Sequence, residues 1–569
     1  MKFVNKILLI LTLAGLISAC DMWDLDQQTD PNQLDESSAS LEELYNSVQL
    51  AFADQYTAGD YAPGAMARMY LSVSFTYQAA LPNTSMNGVW SNAYAELFPD
   101  VDALIKKAEG SNFGIHVGSA KVLKAWTMMQ LVDLMDAVPM SKAGQGVVEI
   151  SPDTDTGSEI YAAALILLDS AVLNLGAASA PTPASDMFYG GDSGAWIKLA
   201  NTLKMRAYLN TKNTAAFEAI AADPDNYISS SSDDFEFNLG TQRVNPNSRH
   251  YQYNSMYEVG DGDYMNNYYM WLLAGEQVDV AGETMRDPRT RYYFYRKVND
   301  SENQDATTYG CHYSIFPEQT ARPAHWSGVH SDLPYCYATT DGYIGRDHMN
   351  GEGTPPDGPV RTSYGVYPSG GAFDYDQFED TRTNGTMGGL GAGIYPILLS
   401  SHVGFMKTEV AAMGLKRDLF EAALTAAIDK VIAFSHNADP VIQSTQVDRA
   451  GNNYIPGTVY GMYGDANTAR ADYIAEVMAV YDATATDAEK LDLIAKQHLI
   501  ALWGNGLEAY NMYRRTGLPS NMAPALESQP GGFPYSLLYP EVYITRNAKA
   551  TQRSLSDRVF WNVGGPDLY

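Results

Sequence analysis

The chain has 569 residues, 45% hydrophobic and 11% aromatic, with a formal net charge of −30 at pH 7. This composition is that of a folded protein with a large core or several cores, not of a disordered chain. The acidity excludes nucleic acid, whose phosphates call for Lys/Arg stripes, and an electrostatic grip on anionic lipid headgroups. The 39 tyrosines offer flat apolar faces with polar tips, a chemistry suited to wet binding surfaces as well as to packing.

At the N-terminus, Lys2 and Lys6 precede an apolar run from Ile7 to Leu16. A basic stretch followed by about ten apolar residues reads as a secretory signal, too short to span a bilayer. It ends in Leu16-Ile17-Ser18-Ala19-Cys20, which resembles the bacterial lipobox, where the cysteine is acylated and becomes the new N-terminus. The expected organisation is a signal over residues 1–19, an acidic lipidated tether over 20–40 and one domain over 41–569. The lipid would anchor the chain without spanning the membrane. No other apolar run approaches the length of a span.

Ser40 is placed to cap a first helix, with Leu41, Leu44, Val48, Ala51 and Phe52 at helical spacing to about Ala53. Further helices are predicted over Gly64–Ala80, from Trp90 to about Ala108, over Gly118–Met135 and over Ser158–Leu175. A sixth, Asp192–Thr211, carries Trp196, Leu199, Ala200, Leu203 and Ala207 as its apolar stripe. Helix pairs joined by short turns are what tetratricopeptide-type scaffolds are made of, although the strict repeat signature is absent. From about 223 to 395 Gly, Pro, Asn, Ser and aromatics dominate. A helix over Tyr264–Ala274 interrupts a region of long loops whose aromatic content argues for function rather than disorder. Helices return over Pro396–Ala412, Arg417–Ser435, Arg470–Ala483 and Asp487–Arg514. Gly504 and Gly506 lie inside the last, which a close backbone neighbour would explain; Gly517 and Pro519 then stop it. The helical scaffold is expected over 41–222 and 396–520, with 223–395 as a loop-rich insert.

With Cys20 acylated, Cys311 and Cys336 remain. They form either one disulfide, suited to an oxidising compartment, or two buried thiols. Gly191-Asp192-Ser193-Gly194 resembles a serine-protease nucleophile loop, but Ser193 starts a strong helix and reads as a cap. Histidines 325, 330 and 348 show no zinc-ligand spacing. Asp341, Asp347 and Asp357 are candidate oxygen ligands for a loop-stabilising calcium without EF-hand spacing. No cofactor is otherwise expected.

Several segments together resemble the SusD/RagB family of nutrient-binding outer-membrane lipoproteins. They are the lipobox, Asp30-Pro31-Asn32, Trp196 through Arg206, Asp287-Pro288-Arg289, Gly345-Arg346-Asp347-His348, Thr354 through Gly358 and Tyr364 through Pro368. Ile394 through Glu409 and Glu508 through Pro519 complete the set. The resemblance implies a mostly α fold, SusD-like, with a tetratricopeptide-like scaffold of helical pairs and a loop-rich ligand-binding region. It implies a protein on the exterior of the outer membrane that binds an oligosaccharide, or in some members a peptide. The partner implied is a TonB-dependent, SusC-like transporter. A lipid-anchored hydrolase is the rival from another class, yet no feature singles out a catalytic acid and nucleophile, and no enzyme activity is expected.

Sugar rings stack on aromatic faces while amides and guanidinium groups bond their hydroxyls. The candidate ligand contacts are therefore the loop residues His325, Trp326, Tyr335, Tyr337 and Tyr343, with Asn83 and Trp90 as a second group. Trp126, Trp196, Trp271 and Trp503 are expected in the core.

Overall fold

The computed structural model describes residues 39–177, 180–260, 262–302, 322–352, 357–447, 451–458 and 466–569. The lipobox with Cys20, the tether up to residue 38, and Cys311 lie outside them. The chain is mostly helical. Helix α1 (Leu41–Ala58) opens with Ser40 and Glu43 in a reciprocal capping box. Short α2 (Tyr61–Met66) follows, then α3 (Phe98–Lys107), α4 (Gly114–Met135), α5 (Gly157–Leu175) and α6 (Ser193–Asn210). Asp192, not Ser193, caps α6, its carboxylate accepting from the Gly194 and Ala195 amides.

Helices α4 and α5 form a close antiparallel pair. A Cβ at Gly118 would sit 2.5 Å from Leu175 Cγ at one end, and one at Gly157 2.9 Å from Val132 Cγ1 at the other. Those glycines let the two backbones approach. By length and composition α5 would pass for a membrane span, contrary to the expectation that no such run remained. Its Ile160, Ala164, Leu168 and Ala171 are nevertheless buried in the core.

After α6 come strand β1 (Phe235–Asn238), helix α7 (Asn267–Ala274) and strand β2 (Ile394–Leu398), which pairs antiparallel with β1 through Phe235↔Leu398 and Phe237↔Tyr395. Pro396 thus lies in a strand, and the helix expected from Pro396 starts later, as α8 (Ser400–Val410). Then follow α9 (Met413–Ala438), α10 (Ala466–Ala483), α11 (Asp487–Ala501) and α12 (Gly506–Thr516).

The single helix expected over 487–514 is two. Gly504 takes φ +90°, and a Cβ at Gly506 would lie 2.4 Å from Asp60 O and 2.5 Å from Gly64 Cα. The chain breaks there so that α12 can butt against α2. The helix expected over 64–80 also fails. Arg68 adopts φ 62°, and its buried guanidinium reaches the backbone carbonyls of Ala523 at 2.8 Å and Tyr569 at 3.0 Å. Residues 71–75 leave as an irregular strap that bends from Ser74 on.

One large core runs through the scaffold and contains Trp126, Trp196 and Trp503, with Trp271 partly buried against it; a smaller core joins Phe405, Phe420, Leu424, Val477 and Ile494 of α8 to α11. The first half of the chain is tied to the last helices by buried charge. Asp133 of α4 accepts from Arg206 Nη2 at 2.5 Å, Trp561 Nε1 at 2.9 Å and Asn511 Nδ2 at 3.1 Å, and from the Tyr161 hydroxyl. Arg206 Nε also donates to Glu508 Oε1 at 2.5 Å, and Arg515 forks onto Glu409.

Candidate functional site

The strap 71–75 is the centre of a surface built from four distant segments. Its Ser72 carbonyl accepts from Met349 N at 2.9 Å. Just beyond it, Tyr77 N donates to Pro530 O at 2.8 Å, and Tyr77 Oη lies 3.2 Å from His348 Nε2. The His348 carbonyl accepts from Leu526 N at 2.7 Å. His325 Nε2 and Trp326 Nε1 both donate to the Ala525 carbonyl, at 3.0 and 3.2 Å. Asp347 fixes the remaining loop, accepting from Cys336 N at 3.0 Å and from Asn267 Nδ2, on α7, at 2.9 Å. Cys336 is disulfide-bonded.

On this frame Phe75 and Val73 are left 57% and 51% exposed. The Phe75 ring rests on Gly351, where a Cβ would lie 2.6 Å from its Cγ and Cδ1; any side chain at 351 would lift the ring. Its rim is polar. Tyr335 stands edge-on to Trp326 at 5.8 Å, and burial, with Asp347 and Glu352 nearby, raises its phenol pKa so that it stays a neutral donor. Arg346 donates to the Glu352 carbonyl at 2.6 Å and lies over the Tyr264 ring. On the other side of the strap is a cavity of about 350 Å³ with Tyr61, Ala62, Leu71, Val73, Leu81 and Ser85 in its wall. The short turn that closes it begins at Asn83.

The residues expected at the site separate. His325 keeps an exposed side chain, and Tyr335 and Asn83 partly exposed ones. Trp326 is 7% exposed and acts as a buttress whose ring face is inside the protein. Tyr343 is wholly buried, with the Arg296 guanidinium over its ring at 5.1 Å. Tyr337 packs beside Ile344 and Val360, and its hydroxyl donates to Glu302 at 3.1 Å. Trp90 is held between Tyr94 and Tyr543, each with its ring centroid 4.4 Å away, so its stacking capacity is used internally. Trp326 and Tyr343 thus turn their rings into the core, and Trp90, partly buried, is flanked by its two tyrosine neighbours.

Phe75 and Val73 are not among the sequence candidates because the segment that carries them is expected as helix. The signal was present: Leu71-Ser72-Val73-Ser74-Phe75-Thr76-Tyr77 alternates apolar and polar with the period of extended chain. The three candidate calcium ligands do not converge. Asp341 pairs with Arg286, Asp347 serves Cys336 and Asn267, and Asp357 accepts from the Tyr264 hydroxyl. Among the described residues no three His, Cys, Asp or Glu side chains gather as a metal site.

The family model described as "Starch-binding associating with outer membrane" matches residues 31–331, and that described as "Susd and RagB outer membrane lipoprotein" matches 396–559. No curated protein sequence matches the chain. Among solved structures, a chitin-binding SusD homolog from Flavobacterium johnsoniae superimposes with a TM-score of 0.59 at 17% identity, covering 92% of this chain and 99% of that one. A second chitin-binding protein gives 0.60 at 19%, covering 92% and 100%. A SusD/RagB family protein from Bacteroides thetaiotaomicron gives 0.60 at 18%, covering 93% and 100%. At these identities the structures speak for the fold, and the family models supply the rest: the chain belongs to the SusD/RagB family of outer-membrane proteins.

Proposed function

We propose that the protein is a lipid-anchored binding protein on the cell exterior that captures an oligosaccharide and delivers it to a TonB-dependent, SusC-like transporter, without covalent chemistry of its own. The observation that carries the reading is Phe75, a large aromatic ring supported by Gly351 and left open to solvent at the meeting point of four segments. An exposed ring on a rigid frame offers a sugar a stacking face with little ordering cost. Tyr335, His325 and Asn83 supply hydroxyl, imidazole and amide groups for its hydroxyls. The apolar cavity beside the strap suits a substituent such as an acyl or methyl group. The lipobox supports the anchor, and the two chitin-binding relatives support a glycan as the ligand class.

The test is affinity electrophoresis of the folded protein against a polysaccharide and peptide panel, with assays for new reducing ends and new amines. The expected result is retention by one or more glycans with no product. Steady product release, or retention by peptides alone, would overturn the reading.

A further inference from the structure

A larger cavity lies elsewhere in the fold, between the β1 strand and one face of α9. It measures about 900 Å³, and a second of about 600 Å³ adjoins it, the two sharing Ala392, Asn437 and Ala438 as wall. Neither shares a lining residue with the cavity beside the strap. The α9 residues in the wall run from Leu419 to Ala438, a helix face about 28 Å long at ~1.5 Å per residue. That length suits a chain rather than a single small molecule.

The chemistry of the walls narrows the occupant. Ala422, Ala426 and Ala433 give the α9 side a surface of small side chains between Leu419 and Phe434. Two of the charged groups in the first cavity, Lys430 and Asp429, are held in ion pairs, and Lys407 is held by a neutral hydroxyl. Lys430 Nζ lies 3.0 Å from Asp234 and 2.5 Å from Glu236, Asp429 pairs with Arg470, and Lys407 Nζ donates to the Tyr227 hydroxyl at 2.7 Å. A charged polymer would have to break those pairs to bind. Apart from Lys407, and from Glu379 and Asp439 in the second cavity, the groups on offer are neutral: Ser229 and Ser231, the Asn238 and Asn437 amides, and the partly buried rings of Phe434 and Tyr375, one in each cavity. Hydroxyls, amides and aromatic faces spaced along an open groove match an uncharged, hydroxyl-rich chain.

We propose that this α9 groove is a second, separate binding site for a neutral polysaccharide chain. The inference rests on the glycan reading above, and the experiment separates the two. Hydrogen exchange of the full protein is followed with and without chitohexaose or maltoheptaose, in the wild type, in Phe75→Ala and in Ala433→Trp, which fills the groove from an exposed helix position. Asn437→Ala, which removes an amide without adding bulk, is run in parallel, and melting curves verify that each variant folds.

The expected result is slowed exchange over residues 229–239 and 419–438 in both wild type and Phe75→Ala. That protection should be abolished by Ala433→Trp and reduced several-fold by Asn437→Ala. Protection confined to residues 71–86 and 346–352 would overturn the groove and leave the proposed function standing. Protection at neither place would overturn both.

Discussion

Asp133 offers the sharpest test of how the scaffold is held. Its carboxylate is fully buried and receives four donors from three other helices and the C-terminal segment. Truncation to alanine strands Arg206, itself buried, with Glu508 as its remaining charge partner. It also leaves the Trp561 indole and the Tyr161 hydroxyl without their acceptor. Breaking a buried pair from one side costs about 3–5 kcal/mol, because the other charge stays buried and uncompensated. Each stranded neutral donor adds roughly 1–3 kcal/mol where water cannot reach it. Asp133→Ala should therefore destabilise by at least about 4 kcal/mol, read as a shift in the urea midpoint. Arg206→Met in the same background should recover part of that loss, since the unpaired cation goes with it. A single variant within about 0.5 kcal/mol of wild type, or strict additivity in the double variant, would refute the argument that this network joins the two halves of the scaffold.

Three further outcomes are expected. Gly506→Ala should cost about 2–4 kcal/mol, since its Cβ meets the backbones of Asp60 and Gly64; a neutral melting temperature would contradict the close approach of α2 and α12. Trp326→Ala should lose about 3–5 kcal/mol of stability as a buried ring, and an unchanged melting temperature would return it to the binding surface. Burial pushes His250 down to about 3 and His402 down to about 4, well below the unfolded value near 6.5. Each therefore contributes stability that is complete above about pH 6.5 and falls as the unfolded state takes up its proton, by about 1.4 kcal/mol per pH unit down to the folded pKa. Asp60, raised to about 7 chiefly by burial, works in the opposite direction. The His402 contribution is isolated by comparing wild type with His402→Gln between pH 4 and 6.5. The variant's profile should be flatter by about one histidine's slope, and parallel profiles would contradict a neutral buried imidazole.

The helical scaffold was legible because its apolar residues recur at helical spacing and its caps are strong. Ser40 with Glu43 and Gly517 behave as their sequence context implies. The breaks were less legible. Arg68 turns the chain through a left-handed conformation whose stabilising partners, Ala523 and Tyr569, lie more than 450 residues away. The break at Gly504 and Gly506 likewise answers to remote neighbours, Pro368 and Pro396 at Gly504 and α2 at Gly506. The same non-locality blurred the site. Loop composition points to His325, Tyr335 and Asn83, which keep exposed or partly exposed side chains. It could not say which rings face inward, since Trp326 and Tyr343 are buried by packing against segments remote in the chain. Phe75 was hidden by a period read as helical where the alternation was extended.

The central claim is that Phe75 provides a stacking face for a sugar on a frame that does not depend on it. It is tested most directly by calorimetric titration of wild type and Phe75→Ala with the best-retained oligosaccharide of the panel, alongside their melting curves. Covering an aromatic ring of this exposure contributes about 1.4 kcal/mol or more. The account predicts at least a tenfold weaker Kd with the melting temperature essentially unchanged. An unchanged Kd, or a loss of binding that tracks a loss of folding, would contradict it.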